Sequence, residues 1–206
     1  MRTSYCLLLL LGCSTVAVAD SPNYNYTELS YGGGELKYDE APELTWDQQG
    51  GEIEGSYAFN NTFWVYGGYA RMGGRSDETN AKLNYRNAIL RAGYVFYPGE
   101  IFSVDVSVLA RKDRYKEFNS SDRGAGLGAG VRANIAMFEF FARGDYLTGD
   151  FDGGWALDTG AIWRIGDHFG VTLSYEATDY KSESDAATKY QLNLVQLGLR
   201  FTFPRD

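Results

Sequence analysis

Apolar and polar residues alternate along the C-terminal segment from Tyr190 to Phe203, YQLNLVQLGLRFTF. In an extended strand, a period of two places one kind of side chain on each face. The odd-numbered face from Val195 to Phe203 is apolar, whereas the even-numbered face is mostly polar and includes Gln196 and Arg200. The segment is long enough to cross a bilayer, so it predicts a membrane-spanning β-strand with lipid against its odd-numbered face.

Nine further segments show the same alternation, so ten strands are predicted in all. The first of them, 24–32, has the weakest pattern. Tight turns such as Asn60-Asn61 and Pro98-Gly99 separate some neighbours, because Asn and Gly tolerate the backbone angles that such turns need. Polar segments separate the others and are predicted as loops over 33–47, 73–83, 112–122, 148–153 and 180–188.

Connection lengths and aromatic residues both indicate an outer-membrane barrel. Short turns near Asn60, Gly99, Ile135 and Gly166 alternate with the longer loops, as in barrels with short turns on one side. Aromatic residues form two groups, as expected where a barrel meets headgroups on each side. The short-turn group is Phe59, Trp64, Phe96, Phe102, Phe138, Trp163, Phe169, Phe201 and Phe203, and the loop group is Tyr31, Tyr146, Trp155 and Tyr175. The predicted fold is all-β: a closed antiparallel up-and-down transmembrane β-barrel of ten strands.

Composition supports strands and excludes other classes of protein. Aromatic residues make up 16% of the 206 residues, and 25 glycines stand beside only 4 prolines, which favours strands joined by turns. Beyond the N-terminal segment, no apolar run approaches the roughly 18 residues that a transmembrane helix needs. A net charge of −8 argues against nucleic acid as a partner, because its phosphates would not be neutralised.

The first 19 residues predict a secretory signal peptide, in which an apolar run ends at the small residues Ala17-Val18-Ala19. Residues 20–206 then form the barrel domain, which contains no cysteine. An alternative remains open, because Leu10-Leu11-Gly12-Cys13 is similar to a lipoprotein signal. Cleavage there would leave a lipidated Cys13 at the N-terminus of the mature protein.

The chain resembles the small outer-membrane β-barrel families, namely the OmpX type, the OmpA membrane domain and the opacity-protein type. The resemblance lies in the alternation over 20–206 and in the terminal strand LVQLGLRFTF, which is similar to the assembly signal of such barrels. It implies a protein of the bacterial outer membrane. Its implied partners are outer-membrane lipid, lipopolysaccharide and, through this strand, the barrel assembly machinery. The sequence departs from the pattern at Pro204-Arg205-Asp206, and because the best-known members have eight strands, eight is the alternative strand number.

Charged residues of both signs occupy the face that would point into the barrel. A barrel of this size is narrow enough for side chains to fill it, and unpaired buried charge is unfavourable. We therefore predict a plugged lumen held by ion pairs, with Arg132 beside Glu139 and Arg143 beside Asp158; a narrow conducting pore is the alternative. The predicted lumen charge network comprises Glu52, Glu54, Arg91, Asp105, Arg111, Arg132, Glu139, Arg143, Asp145, Asp158, Arg164, Glu176 and Arg200.

Two further features bear on partners and catalysis. Arg111, Lys112, Arg114 and Lys116 form a basic cluster at the predicted outer rim, which either contacts lipopolysaccharide phosphates or is a solvated loop. His168, the only histidine, falls in a predicted short turn. Barrel enzymes place a catalytic histidine at the outer rim or lipid face instead, so His168 is interpreted as a turn residue.

The glycine-rich run from Gly124 to Ala129 matches a dinucleotide fingerprint only loosely, because no apolar strand precedes it and no helix pattern follows it. Its glycines are instead expected to leave room in the lumen for Phe141 and the arginines. One histidine without cysteines does not make a zinc site, and no cofactor is expected. The sequence therefore predicts a non-enzymatic barrel that acts in envelope integrity or in surface interaction and adhesion through external loops, with a narrow porin-like channel as the alternative.

Overall fold

Ten β-strands account for most of the chain in the computed structural model, which describes residues 23–38, 44–59, 62–76, 79–99, 101–117, 120–151, 153–182 and 188–203. The predicted signal peptide, both cysteines and the tripeptide Pro204-Arg205-Asp206 lie outside these residues. The strands are β1 (Tyr26–Tyr38), β2 (Leu44–Ala58), β3 (Phe63–Ser76), β4 (Lys82–Pro98), β5 (Phe102–Tyr115), β6 (Ser120–Ile135), β7 (Phe138–Gly149), β8 (Trp155–Ile165), β9 (Phe169–Ser182) and β10 (Thr188–Thr202). No helix among the described residues is long and apolar enough to cross a membrane.

Each strand pairs antiparallel with the next one in the chain, and β1 pairs with both β2 and β10. The β1–β10 ladder runs without interruption from Tyr26 opposite Thr202 to Tyr38 opposite Tyr190 and closes the barrel. One register shift occurs in β4, between Val95 and Tyr97. The predicted closed barrel of ten strands is therefore confirmed, and the alternative of eight strands is wrong.

The side chains of β10 show how alternation divides the two faces. Leu199 on the odd-numbered face is 69% exposed, whereas Leu194 on the even-numbered face is only 2% exposed. Apolar side chains on the outer face of such a barrel contact lipid instead of a protein core. The predicted orientation of the C-terminal strand is thus confirmed.

The face predicted for β3 was wrong. The short-turn group of aromatic residues, predicted to meet the headgroups, includes Trp64, but its side chain is buried and stacks on Tyr24 at 5.6 Å between ring centroids. The neighbouring residues Phe63 and Val65 are exposed in its place. Both faces of this strand are rich in aromatic and small residues, so its alternation does not distinguish inside from outside.

The loops were also predicted to be too long. β1 continues to Tyr38 and β2 begins at Leu44, so most of the glycine-rich segment 33–47 is strand. The other four predicted loops are shortened in the same way, because paired strands satisfy their backbone groups in the ladder whatever the polarity of the side chains. The connections at this end, called the loop end below, are 39–43, 77–81, 116–119, 150–154 and 183–187.

The opposite end of the barrel, called the short-turn end, carries the turns 59–62, 99–101, 136–137 and 166–168. These lie where the sequence predicted them. Ala136 adopts a positive φ of 54°, and Gly166 one of 72°, which allow these tight reversals. The N-terminal end of β1 and the C-terminal end of β10 also lie at this side of the barrel.

Candidate functional site in the barrel lumen

Five arginines form an ionic layer that crosses the middle and the short-turn end of the lumen. Each guanidinium has a carboxylate oxygen within 2.5 to 3.0 Å. Such pairing is expected, because a lone charge in a lumen of this kind is strongly unfavourable. The five are Arg91, Arg111, Arg132, Arg143 and Arg200.

Arg132 pairs with a carboxylate on the neighbouring strand, whereas Arg143 pairs with one on a strand further away. Arg132 Nη1 lies 2.8 Å from Glu139 Oε1, as the predicted pairing requires. Arg143 lies directly opposite Asp158 in the β7–β8 ladder, but its Nη2 donates to Asp105 Oδ1 at 2.6 Å. The predicted Arg143–Asp158 pair is therefore wrong, because the long arginine side chain reaches over Gly130 of β6 to Asp105 on β5.

Arg200 binds a residue that the sequence analysis did not include. Its Nε donates to Glu28 Oε2 at 2.6 Å, and its Nη2 lies 3.6 Å from Glu54. The guanidinium also lies 3.8 Å from the centroid of the Tyr26 ring. Glu28 and Tyr26 belong to β1, the strand with the weakest pattern, although Tyr26, Glu28 and Ser30 do alternate on its inward face.

Glycines of β6 make room for two of these ion pairs. Arg91 binds Asp145 through two hydrogen bonds of 2.5 and 2.8 Å. A Cβ on Gly128 would lie 3.0 Å from Arg91 Nη1, and one on Gly130 would lie 2.8 Å from Arg143 Nη2. The predicted role of these glycines thus holds for the arginines. For Phe141 the prediction is wrong, because the glycine that makes room for its ring is Gly160 on β8 and not a glycine of β6.

Arg111 points into the lumen and not towards the outer rim. Its Nε donates to Asp113 Oδ1 at 3.0 Å, its Nη2 donates to the Tyr85 hydroxyl at 3.0 Å, and Glu176 lies 3.7 Å from its Nη1. Asp113 is fully buried and also accepts a hydrogen bond of 2.6 Å from Asn87. Asp113 lies in the segment predicted as a loop and is therefore absent from the predicted network.

The remaining members of the predicted network are bound differently. Glu52 accepts a hydrogen bond of 2.9 Å from Gln196, and Asp158 lies opposite Glu176 in the β8–β9 ladder. No ion pair of Asp158 is found within the described part of the chain. Arg164 lies at the short-turn end and donates to the carbonyl of Ala136 at 2.6 Å, outside the ionic layer.

The loop end of the lumen is closed by an apolar plug that the sequence analysis did not predict. Its rings are Tyr38, Trp46, Tyr85, Tyr115, Phe151, Tyr180 and Tyr190, and they pack with buried leucines and Met72. Tyr115 and Tyr190 stack at 4.8 Å, and the hydroxyls of Tyr115 and Tyr180 share a hydrogen bond. Every one of the five segments predicted as loops supplies a residue to this cluster.

Phe151 reaches the plug from the connection between β7 and β8. The backbone there turns back through Gly149 and Gly153, whose φ angles of 83° and 71° favour glycine. The Phe151 ring has no exposed surface and meets the Tyr180 ring edge-on at 4.8 Å. This connection therefore folds over the mouth of the barrel and contributes to its closure.

A polar cavity of about 100 Å³ lies within the ionic layer. Its walls include Glu52, Asp158, Ser174, Glu176 and Gln196. It has room for a few water molecules, which would satisfy these polar groups. Within the described residues no group of three or more His, Cys, Asp or Glu side chains is arranged to hold a metal ion.

The comparison with protein families agrees with this architecture. The model of the family described as outer membrane protein beta-barrel domain matches residues 4–203. The chain belongs to this family. It is therefore a protein of the bacterial outer membrane, and its strands span that membrane. No curated protein sequence is significantly similar to it.

Solved structures of similar fold are outer-membrane barrels. The outer membrane protease OmpT from Escherichia coli superposes with a TM-score of 0.56 at 10% identity, over 89% of this chain and 98% of that one. Neisserial surface protein A gives 0.45 at 11% identity, over 86% and 96%. Ail, the attachment invasion locus protein of Yersinia pestis, gives 0.41 at 18% identity, over 87% and 99%. At these identities the likeness to OmpT shows the fold alone.

Orientation in the outer membrane follows from the connections, since short turns of such barrels face the periplasm. His168 then lies at the periplasmic end, in the turn 166–168, where its Nδ1 is 3.2 Å from the carbonyl of Thr202. Of the predicted rim cluster, Lys112, Arg114 and Lys116 are exposed at the external end. Arg111 is buried in the ionic layer, so it does not belong to that rim.

Proposed function

We propose that this outer-membrane barrel is non-enzymatic and has a closed lumen, and that it acts in envelope integrity or in interaction at the cell surface. The observation that carries the proposal is the double closure of the lumen. The apolar plug fills its external end, and the ionic layer fills its middle and its periplasmic end.

The packing of both layers supports a lumen that does not conduct. Tyr190, at the centre of the plug, has no exposed surface, and its ring contacts Tyr38, Tyr115 and Tyr180 at 4.8 to 5.5 Å. At the other end Tyr24 and Trp64 stack beneath the guanidiniums of Arg132 and Arg143, which lie 4.6 and 4.8 Å from their rings. An ion would have to displace the packed rings of the plug and the arginine–carboxylate pairs of the ionic layer.

Because the external connections are short, we expect partners to bind the outward side chains of the strands and not long adhesive loops. The strands continue through most of the segments predicted as loops, so the outward side chains of their external ends form much of the surface available to a partner. These outward side chains lie at the level of the headgroups, where they can contact the lipids of the outer leaflet. Such contact supports the proposed role in envelope integrity.

Planar-bilayer recording tests the closed lumen. The full-length mature protein, shown to be folded by heat-modifiable migration on a gel, is expected to give no stable single-channel steps in bilayers where a reference porin conducts. Stable steps of uniform size would contradict the proposal and support the narrow channel for small solutes. The variant Tyr115→Ala/Tyr190→Ala, which opens the plug but leaves the ion pairs of the ionic layer in place, should also give no stable steps, and stable steps in this variant alone would show that the plug is the only barrier.

A further inference from the structure

The external ends of β3 to β6 carry a patch of basic residues on their outward face. Arg71, Arg86 and Arg114 lie directly opposite one another across β3, β4 and β5, and Lys112 lies opposite Arg123 across β5 and β6. These five residues are called the basic face below. Four of them are exposed, and Arg86 is half-buried between Arg71 and Arg114.

The charges of the basic face have no counterion among the residues that the structure describes. Among the described residues, none of the five forms an ion pair, and Arg86 Nε is buried without a hydrogen-bond partner. The carboxylates of Glu117 and Asp150 in the adjoining connections accept hydrogen bonds from backbone amides, at 2.6 and 2.9 Å, instead. Like charges directly opposite each other across strands are unfavourable, so this arrangement calls for a bound anion.

The outward face on the other side of the barrel is different. At the same level, Lys37 on β1 pairs with Glu35 at 3.6 Å, and Lys189 on β10 pairs with Asp179 at 3.2 Å. On that side the facing lysines Lys181 and Lys189 have the carboxylate of Asp179 beside them, whereas no carboxylate in the described part of the chain pairs with the five cations of the basic face.

The basic face lies where lipid headgroups are expected. On β5 the outward residues from Phe102 to Ala110 are apolar, and Lys112 and Arg114 follow them. At about 3.3 Å per residue and a tilt of about 40°, Lys112 lies roughly 25 Å above Phe102, which is the height of the apolar band of such barrels. Tyr69 is the outward residue just before Arg71, as an interfacial aromatic would be.

A shallow apolar groove crosses the outward face from Ala110 on β5 to Thr27 on β1, towards the periplasm. Its lining includes the small residues Gly55, Gly67 and Ala92 together with Leu90. Towards the external end of the same outward face, Arg86 lies beyond the groove residues of β4, and Lys112 lies beyond those of β5. A hydrocarbon chain in this groove would therefore have its headgroup beside the basic face.

We propose that the basic face and the groove together bind one molecule of lipopolysaccharide through its phosphorylated, multiply acylated lipid A. The guanidiniums and Lys112 bind the phosphates, since arginine matches phosphate geometry with two parallel hydrogen bonds, and one acyl chain occupies the groove. Five cations exceed the charge of a single phosphodiester, which favours a lipid with more than one phosphate. The inference shares with the proposed function only the orientation of the barrel in the membrane, which puts the basic face at the external side. Conductance through the lumen would overturn the closed lumen but would leave this lipid site unchanged.

Binding of lipid A to the folded protein in neutral detergent tests the headgroup half of the site. The variant Arg71→Gln/Arg86→Gln/Arg114→Gln is compared with Lys37→Gln/Lys181→Gln/Lys189→Gln, which removes the same charge from β1, β9 and β10. The first should bind diphosphoryl lipid A roughly 100-fold more weakly than the parent, because each basic residue near an anionic lipid contributes about 1 kcal/mol and 1.4 kcal/mol is tenfold. The second should bind as the parent does. Equal binding by both variants would overturn the proposal.

The acyl half needs a separate variant and two further ligands. Ala110→Phe should fill the groove and weaken binding of lipid A, whereas Ala161→Phe, on the outward face of β8, should not. Dephosphorylated lipid A should bind poorly, and inorganic phosphate should bind much more weakly than lipid A. Phosphate binding as tight as lipid A, or lipid binding that does not depend on phosphate, would contradict a site for both parts of the molecule. Each Arg→Gln change is also made singly, so that a misfolded triple variant does not decide the result.

Discussion

At the loop end of the lumen the buried side chains are aromatic and aliphatic, whereas across its middle and short-turn end they are arginines and carboxylates, with a small apolar cluster of Tyr24, Trp64 and Val95 at the short-turn end. The two regions are joined at Asp113, which binds Arg111 of the ionic layer and accepts a hydrogen bond of 3.1 Å from Tyr85 of the plug. One barrel is thus closed in two ways, by dispersion and apolar burial at the external end and by paired charges elsewhere.

The difference follows from what surrounds each region. Within the membrane the outward face must be apolar, so the inward face carries the polar residues and their charges must pair. Beyond the apolar band the outward face carries polar residues such as Glu35 and Asn193, and the interior becomes an ordinary apolar core. On β10 the change occurs between Leu194, which is buried, and Val195, which is exposed.

The largest expected effect sharpens the comparison on the ionic side. Arg200→Ala should lower the free energy of unfolding by about 3 to 5 kcal/mol, because it leaves Glu28 and Glu54 buried without their cation. Urea unfolding in lipid vesicles measures the change. The control Arg164→Ala removes an arginine outside the ionic layer and should have much less effect. Equal losses for the two variants would show that the ion pairs do not stabilise this region.

A smaller effect is expected in the plug. Phe151→Leu keeps the apolar volume approximately but removes the ring that meets Tyr180, so it should lower the free energy of unfolding by about 1.5 kcal/mol. The same unfolding experiment, run at low and at high salt, tests the nature of this contact: the Phe151→Leu loss should not depend on salt. A loss that disappears at high salt would contradict an apolar plug, since screening acts on charges.

The sequence predicted the ten strands, their order and the outward face of most of them, because alternation and turn residues are local signals. It did not predict the plug, because beyond the apolar band the inward face becomes apolar and the outward face polar, which is the reverse of the pattern within the membrane. Tyr38 and Tyr115 consequently fell in segments predicted as loops. Ion-pair partners were predictable only between neighbouring strands: Arg132 and Glu139 lie on adjacent strands, whereas Arg143 and Asp105 are separated by β6.

The smallest expected effect tests whether every charge in the ionic layer stabilises it. Asp158 lies opposite Glu176 in the β8–β9 ladder, so Asp158→Asn should leave the free energy of unfolding unchanged or raise it by about 0.5 kcal/mol, because like charges directly opposite are unfavourable. Asp105→Asn is the matched control: this fully buried aspartate binds Arg143 at 2.6 Å, and its loss should be clearly destabilising. Urea unfolding of both variants under the same conditions gives the comparison. An equal loss of stability in Asp158→Asn and Asp105→Asn would contradict this expectation. It would show that the carboxylate of Asp158, beside the cavity, stabilises the barrel as much as the ion-paired carboxylate of Asp105.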